Sequence, residues 1–596
     1  MSGLQISPAL PHGPNWRWWF VIIGCPVGLF FGTVGFWLYA GQPAGLLPWL
    51  NALYHAGQLF VLHTPYLERP MNWCLEVGRW LAAGVFGMTA ISALYQLFAT
   101  EWRHFRVGFA KGHTVICGLG PRALRLARCF LTERGASRVV LVAPAASADD
   151  LAACRAAGAT LILGDPGKTE TLVRAGVHKA KHLVALSGDD RANVEIAVSA
   201  YNLMKTRRAD GLRALKCFAQ LEDVDLRASL QRSGAFPKGD PSCEIRYFDL
   251  LDAAARRLLF DPEVLPLDHG GILKGDPRQV HLVLLGFGRL GRSVAVRAAQ
   301  LGHFANCKPM RISVIDQDAE RHEQALLFRY RNFRKTCEIE FHQLQADSQR
   351  ARELLEGFSS DGQSVTSIAI CFDRDSLALE VALRLLPLLK ENGIRTAVRL
   401  SHSPGFTALL NETSPPDIRF YVRGFAGTED CCCDDLLGDP LNEELAKVIH
   451  EDFRQKRLKE GRDDAVDFAL LPWEKLDDGY KDSNKQQADH IAIKLHGIGC
   501  TVAELGEQKR PVIDQFTRDQ IELLAEMEHA RWNAERYLAD WALGPSDKAR
   551  KITPYLVPWD QLEPRIQDYD RATVRLIPTF LRRIGKKVCL NEPVRR

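Results

Sequence analysis

No sign of charge dominates this chain of 596 residues: 76 Lys and Arg stand against 72 Asp and Glu. That balance removes any global argument for nucleic-acid binding, and no nucleic-acid partner is expected. Cysteine is present at 15 positions, but paired CxxC spacings are missing, and the one cluster, Cys431-Cys432-Cys433, has no partner. Neither a structural metal nor a disulfide framework is therefore expected, and a reducing compartment fits. Also lacking are a nucleophile–base pair, a metal cluster and a hydride-transfer set of His, Arg and carboxylate. No catalytic residue and no enzymatic role is expected.

Charge is absent from two long stretches. Residues 18–40, "WWFVIIGCPVGLFFGTVGFWLYA", carry none over 23 positions, enough to cross about 30 Å of hydrocarbon. Trp16, Trp18 and Trp19 at one end and Trp37 and Tyr39 at the other have the character of interfacial belts. The run is too long for a cleaved signal peptide, and only Arg17 precedes it. A second uncharged run, residues 80–99, is followed by Arg103, His104, Arg106 and Lys111. The positive-inside rule then places everything after about residue 100 in the cytoplasm. Between the two lies "NALYHAGQLFVLHTPYLERP" (51–70), apolar yet cut by Pro65 and Pro70. Residues 45–65 either form a half-helix and re-entrant loop or span fully. Re-entrant backbone needs protein or a water-filled cavity around it, which two helices cannot enclose, so that reading requires an oligomer.

After Lys111 the pattern becomes that of a soluble α/β protein. "HTVICGLGPRALRLARCFL" (113–131) is a β-type run, then Gly118-x-Gly120-x-x-Ala123, then a helical pattern. Such a turn brings a phosphate close to a helix N-terminus. The next strand ends on Ala143 and Pro144, where a ribose-binding Rossmann fold carries an acid. The pattern recurs in "HLVLLGFGRLGRSVAVRAA" (281–299) with Gly286-x-Gly288-x-x-Gly291, and "ISVIDQD" (312–318) supplies Asp316 at the strand end. NAD or another nucleotide is expected in this second unit, and a scaffold role in the first. Arg122, Arg125 and Arg128 recur every three residues after the first turn. They either meet a polyanion or form a solvated face.

"GATLILGDPGKTETLVRAGVHKAKHLVALSGDDRANVEIAVSA" (158–200) resembles the body of RCK domains, the TrkA-N-type regulators of potassium conductance. The resemblance runs through Gly164-Asp165, Leu172, Ala175-Gly176, Ala180 and Asp189-Asp190-x-x-Asn193, and extends more loosely over 112–425. It implies tandem domains that form a ring below a membrane pore, hence a homo-oligomer, expected to be a tetramer, in a bacterial inner membrane. Further on, Glu528-His529-x-x-Trp532, Arg536, Trp541, Gly544, Pro554-x-Leu556-Val557-Pro558-Trp559 and Asp570-Arg571 resemble the RyR domain, over about 470–590. Asp540 departs from a position often held by glycine. That family implies sensing of nucleotide-derived signals in stress or antiviral systems. His529, Trp532 and Arg536 fall on one helical face, where an aromatic ring beside a guanidinium suits a planar base and its phosphate, or ordinary packing.

The expected architecture is multi-domain. An α-helical membrane domain with two transmembrane helices and a re-entrant segment (1–110) precedes two α/β Rossmann-like domains (111–270 and 271–425). A helical linker (426–469) and a mainly helical RyR domain (470–596) follow. Helices flanking a half-helix match the layout of two-helix potassium channels, but "VLHTPYLERP" has no Gly-Tyr-Gly and Pro65 fixes its φ. The expectation is a ligand-gated, channel-like membrane protein. Its pore would be lined by His63, Thr64 and Tyr66, with Gly84 and Gly87 as a hinge or as packing positions. The alternative is a non-conducting, membrane-anchored sensor that signals to a partner.

Overall fold

The computed structural model describes residues 16–63, 70–108, 110–132, 138–207, 214–223, 240–260, 271–359, 362–400, 404–425, 440–461, 468–507 and 510–591, with isolated positions between. They fall into two compact units, 1–109 and 110–596.

The first unit contains α1 (Trp16–Tyr39), α2 (Leu46–Leu59) and α3 (Trp73–Gly108). Phe20–Tyr39 and Trp73–Leu94 are long and apolar enough to cross a membrane. α2, with 14 residues, rises about 21 Å, less than a full crossing. The helix expected over 80–99 starts earlier, at Trp73, because Glu76 and Arg79 pair with each other at 3.1 Å one turn apart. α1 meets α3 through small residues. A Cβ on Gly78 would lie 2.6 Å from the Gly32 nitrogen, and one on Gly35 would lie 2.6 Å from Leu75 Cα. Gly24 and Gly28 continue the stripe against Val85 and Ala82. Glycines at such positions let two helix backbones approach closely and pack by van der Waals contact. Gly84 and Gly87 do not serve this purpose: Phe20 is the nearest neighbour of Gly84 at 3.5 Å, and nothing comes within 4 Å of a Cβ on Gly87.

The second unit holds two parallel sheets of identical plan. β1 (Thr114–Cys117), β2 (Val139–Ala143), β3 (Thr160–Leu163), β4 (His182–Ala185), β5 (Leu215–Gln220) and β6 (Cys243–Phe248) run in the order 3-2-1-4-5-6. β7 (Gln279–Leu285), β8 (Arg311–Asp316), β9 (Glu338–Gln343), β10 (Ser364–Ile370), β11 (Arg395–Arg399) and β12 (Val422–Phe425) repeat it as 9-8-7-10-11-12. This is the doubly wound Rossmann order. β1 and β2 are buried along their whole length and β7 from its second residue on, as helices on both faces require, so they read as largely apolar runs without alternation. Leu251, Ala254, Ala255 and Leu258 lie ahead of the boundary expected at 270, yet they pack in the core of the second sheet beside Ala295 and Ala298.

A helical region docks on this second sheet's domain. It contains Pro440–Lys459, Asp478–His496, Arg518–Leu538, Pro564–Arg575 and an antiparallel pair, Cys500–Glu504 with Lys586–Leu590. Leu445, Ala446 and Ile449 share a core with Ile491, Leu524 and Phe580, so the segment expected as a linker is part of this region's core. Phe453, expected on the same apolar face, is exposed and lies under the Arg457 guanidinium at 5.4 Å instead. Thr517 and Gln520 cap the 518–538 helix reciprocally. Asp540 beyond that helix has φ +59°, a left-handed conformation that glycine adopts freely and aspartate tolerates. Docking is polar. Arg256 pairs with Asp489 at 2.9 Å, His490 Nε2 meets the His303 carbonyl at 3.0 Å, and His496 Nδ1 meets Asp268 at 2.8 Å. Behind it, Lys494 Nζ donates to Glu528 at 2.5 Å, and Arg531 bridges Glu528 and Glu535; Lys494, Glu528 and Arg531 are buried and Glu535 is half-buried. Buried charges persist only when paired in this way.

Candidate functional site

The second glycine turn sits where the sequence expects it, between β7 and the helix Arg289–Leu301. Gly286 has φ +90°, and a Cβ on Gly291 would lie 2.3 Å from the Gly286 carbonyl oxygen. Only glycine fits there. Gly288 precedes the helix and has no side-chain cap, and nothing lies within 4 Å of a Cβ built on it. The first turn of that helix therefore presents N–H groups to open space, the arrangement that receives an anion. Asp316 ends β8 as expected. Its Oδ2 accepts the Phe287 N–H at 2.7 Å and its Oδ1 the Asp318 N–H at 2.8 Å, with His322 Nε2 at 3.6 Å. One carboxylate thus holds the glycine turn, and each oxygen keeps acceptor capacity toward the space beside it. That space is a cavity of about 420 Å³ lined by Gly286, Gly288, Asp316, Asp347, Phe372 and Arg374, among others. Its lone thiol, Cys371, is pushed up to about 12 by burial and is not a nucleophile.

The first turn has the same path and different chemistry. Gly118 has φ +147°, and its Cβ would lie 2.3 Å from the Leu186 oxygen. Gly120 faces open space, as Gly288 does. At the third position Ala123 is buried in the core with Leu126 and Phe130. The helix begins at Pro121, which removes one N–H from the corner, and β2 ends at Ala143 without a carboxylate. The Asp189-Asp190-x-x-Asn193 motif is a staple. Asn193 accepts the Ser187 N–H at 2.9 Å and donates to the Gln220 carbonyl at 3.1 Å. Asp190 accepts the N–H groups of Glu222 and Asp223, at 3.0 and 2.7 Å. Glu222 then pairs with Arg289 at the second turn. Arg125 and Arg128 are exposed on their helix.

A second cavity, of about 430 Å³, opens in the helical region. The structure brings His529 and Trp532 to it and leaves Arg536 outside its lining. Arg536 is stacked between Trp532 at 5.2 Å and Trp541 at 4.8 Å. His529 is held by the Val557 carbonyl at 2.8 Å and lies nearly parallel to Trp532, with centroids 5.9 Å apart. The remaining walls are Arg457, Tyr555, Glu563, Arg565, Ile566, Tyr569 and Asp570. Hydrogen bonding and charge from Arg457 hold the Tyr569 phenol below its usual range, while burial raises the Asp570 carboxyl. Of these walls the sequence singled out only Asp570. Its neighbour Arg571 is structural, gripping Glu522 at 2.7 Å beside Trp559. Arg457 was legible only as one of several cations in "FRQKRLK".

In the first unit, His63 follows Leu62, which has φ +59°, and is exposed; Thr64 and Tyr66 lie outside the described residues. The cysteine triplet at 431–433 lies outside them too.

Residues 114–235 match the family model described as the TrkA-N domain, and residues 510–589 match the RyR domain. The first match stops before β6, and the second leaves out the helices 440–459 and 478–496 that complete the core. No curated protein matches the chain. Among solved structures, a crystal structure of GsuK bound to ADP is similar at 14% identity and a TM-score of 0.36, over 72% of this chain and 98% of that one. The GsuK channel bound to NAD gives 13% and 0.37, over 72% and 84%. The human SLO3 gating ring gives 10% and 0.34, over 56% and 84%. The chain is thus similar to the TrkA-N family over its first sheet and to the RyR family over its last helices.

Proposed function

We propose that this chain is a ligand-gated, channel-like membrane protein whose region after residue 110 senses a nucleotide-type ligand and controls an oligomeric pore. The observation that carries the sensing half is the second glycine turn: a free helix N-terminus, a glycine that admits no Cβ, and Asp316 beside an open cavity. A pyrophosphate would rest on the N–H groups after Gly288, and ribose hydroxyls would donate to Asp316. The role is read as regulatory and non-catalytic. The transport half is supported by two helices of spanning length flanking a 14-residue helix, together with the TrkA-N match. A tetramer in a bacterial inner membrane, with the sensing region cytoplasmic, is part of this proposal.

Flux from vesicles holding the purified protein, with and without NAD or ADP, tests it. The expected result is ligand-dependent flux that changes in rate or ion preference when His63 and Thr64 are replaced, with binding intact. Binding without flux would leave the second reading, a membrane-anchored sensor. That reading is favoured by the absence of Gly-Tyr-Gly around Pro65.

A further inference from the structure

We infer that the edge at which the strands of the first parallel sheet begin is a docking surface for anionic lipid headgroups. The inference rests on the membrane half of the reading above and adds a partner that needs no nucleotide. Backbone hydrogen bonds set a row of cations across the entrances of four neighbouring strands, β2, β1, β4 and β5. Thr114 donates its N–H to the Arg138 carbonyl at 3.2 Å, and Gly112 donates to that of Lys179 at 2.8 Å. Lys181 donates to His113 at 2.9 Å, and Lys216 to Lys181 at 3.1 Å. Neighbouring strands lie about 4.8 Å apart, so the row is about 14 Å long. Lys111 (beside Gly112), Lys181 and Lys216 are exposed, and Arg138 and Lys179 are half-buried.

The field at this edge is positive. Burial holds His113 below its ordinary value, and the charges that reinforce the effect come from Arg138 and Lys179. Burial likewise takes His182 down to about 4, reinforced by Lys181 and Lys216. Glu244 on β6 faces Lys216 in register, but it pairs with Arg246 at 2.7 Å. Clustered lysines within reach of a bilayer attract anionic headgroups, each cation contributing about fivefold in affinity. An extended row of amines suits a surface of many headgroups better than a single small anion. Reach is set by the chain. Residues 109–113 separate α3 from β1 and can span at most about 20 Å. β1 starts at this edge, so it is the part of the sheet that the chain meets first after its second uncharged run.

The test is amine labelling of the full chain, read lysine by lysine, in vesicles of phosphatidylcholine alone or mixed with phosphatidylglycerol. Retention on the vesicles after alkaline carbonate reads membrane insertion separately. Phosphatidylglycerol should slow labelling of Lys111, Lys181 and Lys216 severalfold and leave the exposed Lys274 unchanged. High salt should remove the effect. Lys181→Gln should weaken the protection of Lys111 and Lys216 about fivefold, and Lys181→Arg should preserve it. R122Q/R125Q, on the helix that leaves the opposite end of β1, should also preserve it, and unfolding midpoints separate lost contact from lost folding. Equal labelling in both vesicles, with the chain retained, overturns this inference and leaves the membrane reading standing. Protection without retention supports the lipid surface and overturns the spanning helices. Neither protection nor retention overturns both. Equal protection by free glycerol 3-phosphate, or protection that follows protein concentration as a second copy would cause, also overturns the inference.

Discussion

The two parallel sheets share strand order and the open glycine of the turn, Gly120 and Gly288, yet their glycine turns differ at the helix start, the third position and the strand end. The first has Pro121 at the helix start, Ala123 at the third position and Ala143 at the strand end; the second has Arg289, Gly291 and Asp316. The family match falls on the first turn, and the acidic cavity falls on the second. Fold likeness and site chemistry are therefore separable within one chain, and the family match by itself does not say which turn a ligand would use.

The largest effect that separates the two turns is expected at the third position. Gly291→Ala places a Cβ 2.3 Å from the Gly286 oxygen and should lower stability by about 1–3 kcal/mol or more. Ala123→Gly, the reverse exchange in the first turn, should cost only about 0.5–1 kcal/mol. Unfolding midpoints of the two variants check this, and equal losses would break the distinction. Next come the open positions. Nothing lies within 4 Å of a Cβ at Gly120 or Gly288, so valine at either should leave the midpoint near wild type. Gly288→Val should nonetheless abolish ADP or NAD binding, and Gly120→Val should not change it.

A smaller effect is shared. Burial pushes His182 in the first sheet and His303 beside the second down to about 4, and holds His490 in the helical region well below its ordinary value. Unfolded histidine takes a proton near pH 6.5, so between there and about pH 4 the unfolded chain binds protons that the folded chain does not. Both sheet domains should lose stability across that window on acidification, which a fluorescence-monitored pH series would show. The smallest effect belongs to the contact between the helical region and the second sheet's domain. The hydrogen bond to Asp268 raises His496, so its contribution is present below the unfolded value and lost as pH rises through the folded one. His496→Gln should therefore lower the midpoint at about pH 6 and leave it unchanged at about pH 8.5.

Much of this was legible in the sequence because backbone geometry demands particular residues. Glycines at 286 and 291, an acid at 316 and unbroken apolar strands each have one cheap structural explanation. The 518–538 helix was largely readable: of the apolar stripe expected at Ile521, Leu524, Met527, Ala534, Leu538 and Trp541, the four from Leu524 to Leu538 are buried, while Ile521 and Trp541 are half-buried. What stayed hidden depends on pairing across distance. The start of α3 at Trp73 was obscured by Glu76 and Arg79, whose charges neutralise each other only once the helix exists. Arg457 looked like a solvated cation until the fold set Tyr569 against it. The helix 440–459 looked like a linker because some of its core partners, Phe580 and Leu581, lie far along the chain.

Hydrogen–deuterium exchange on the full chain with NAD or ADP is the most direct test of the claim that the second glycine turn is the sensing site. Ligand should slow exchange at residues 286–291 and 316–318, leave 118–123 unchanged, and lose its effect in Asp316→Asn. Protection confined to 118–123, or protection at 286–291 that survives Asp316→Asn undiminished, would contradict the account.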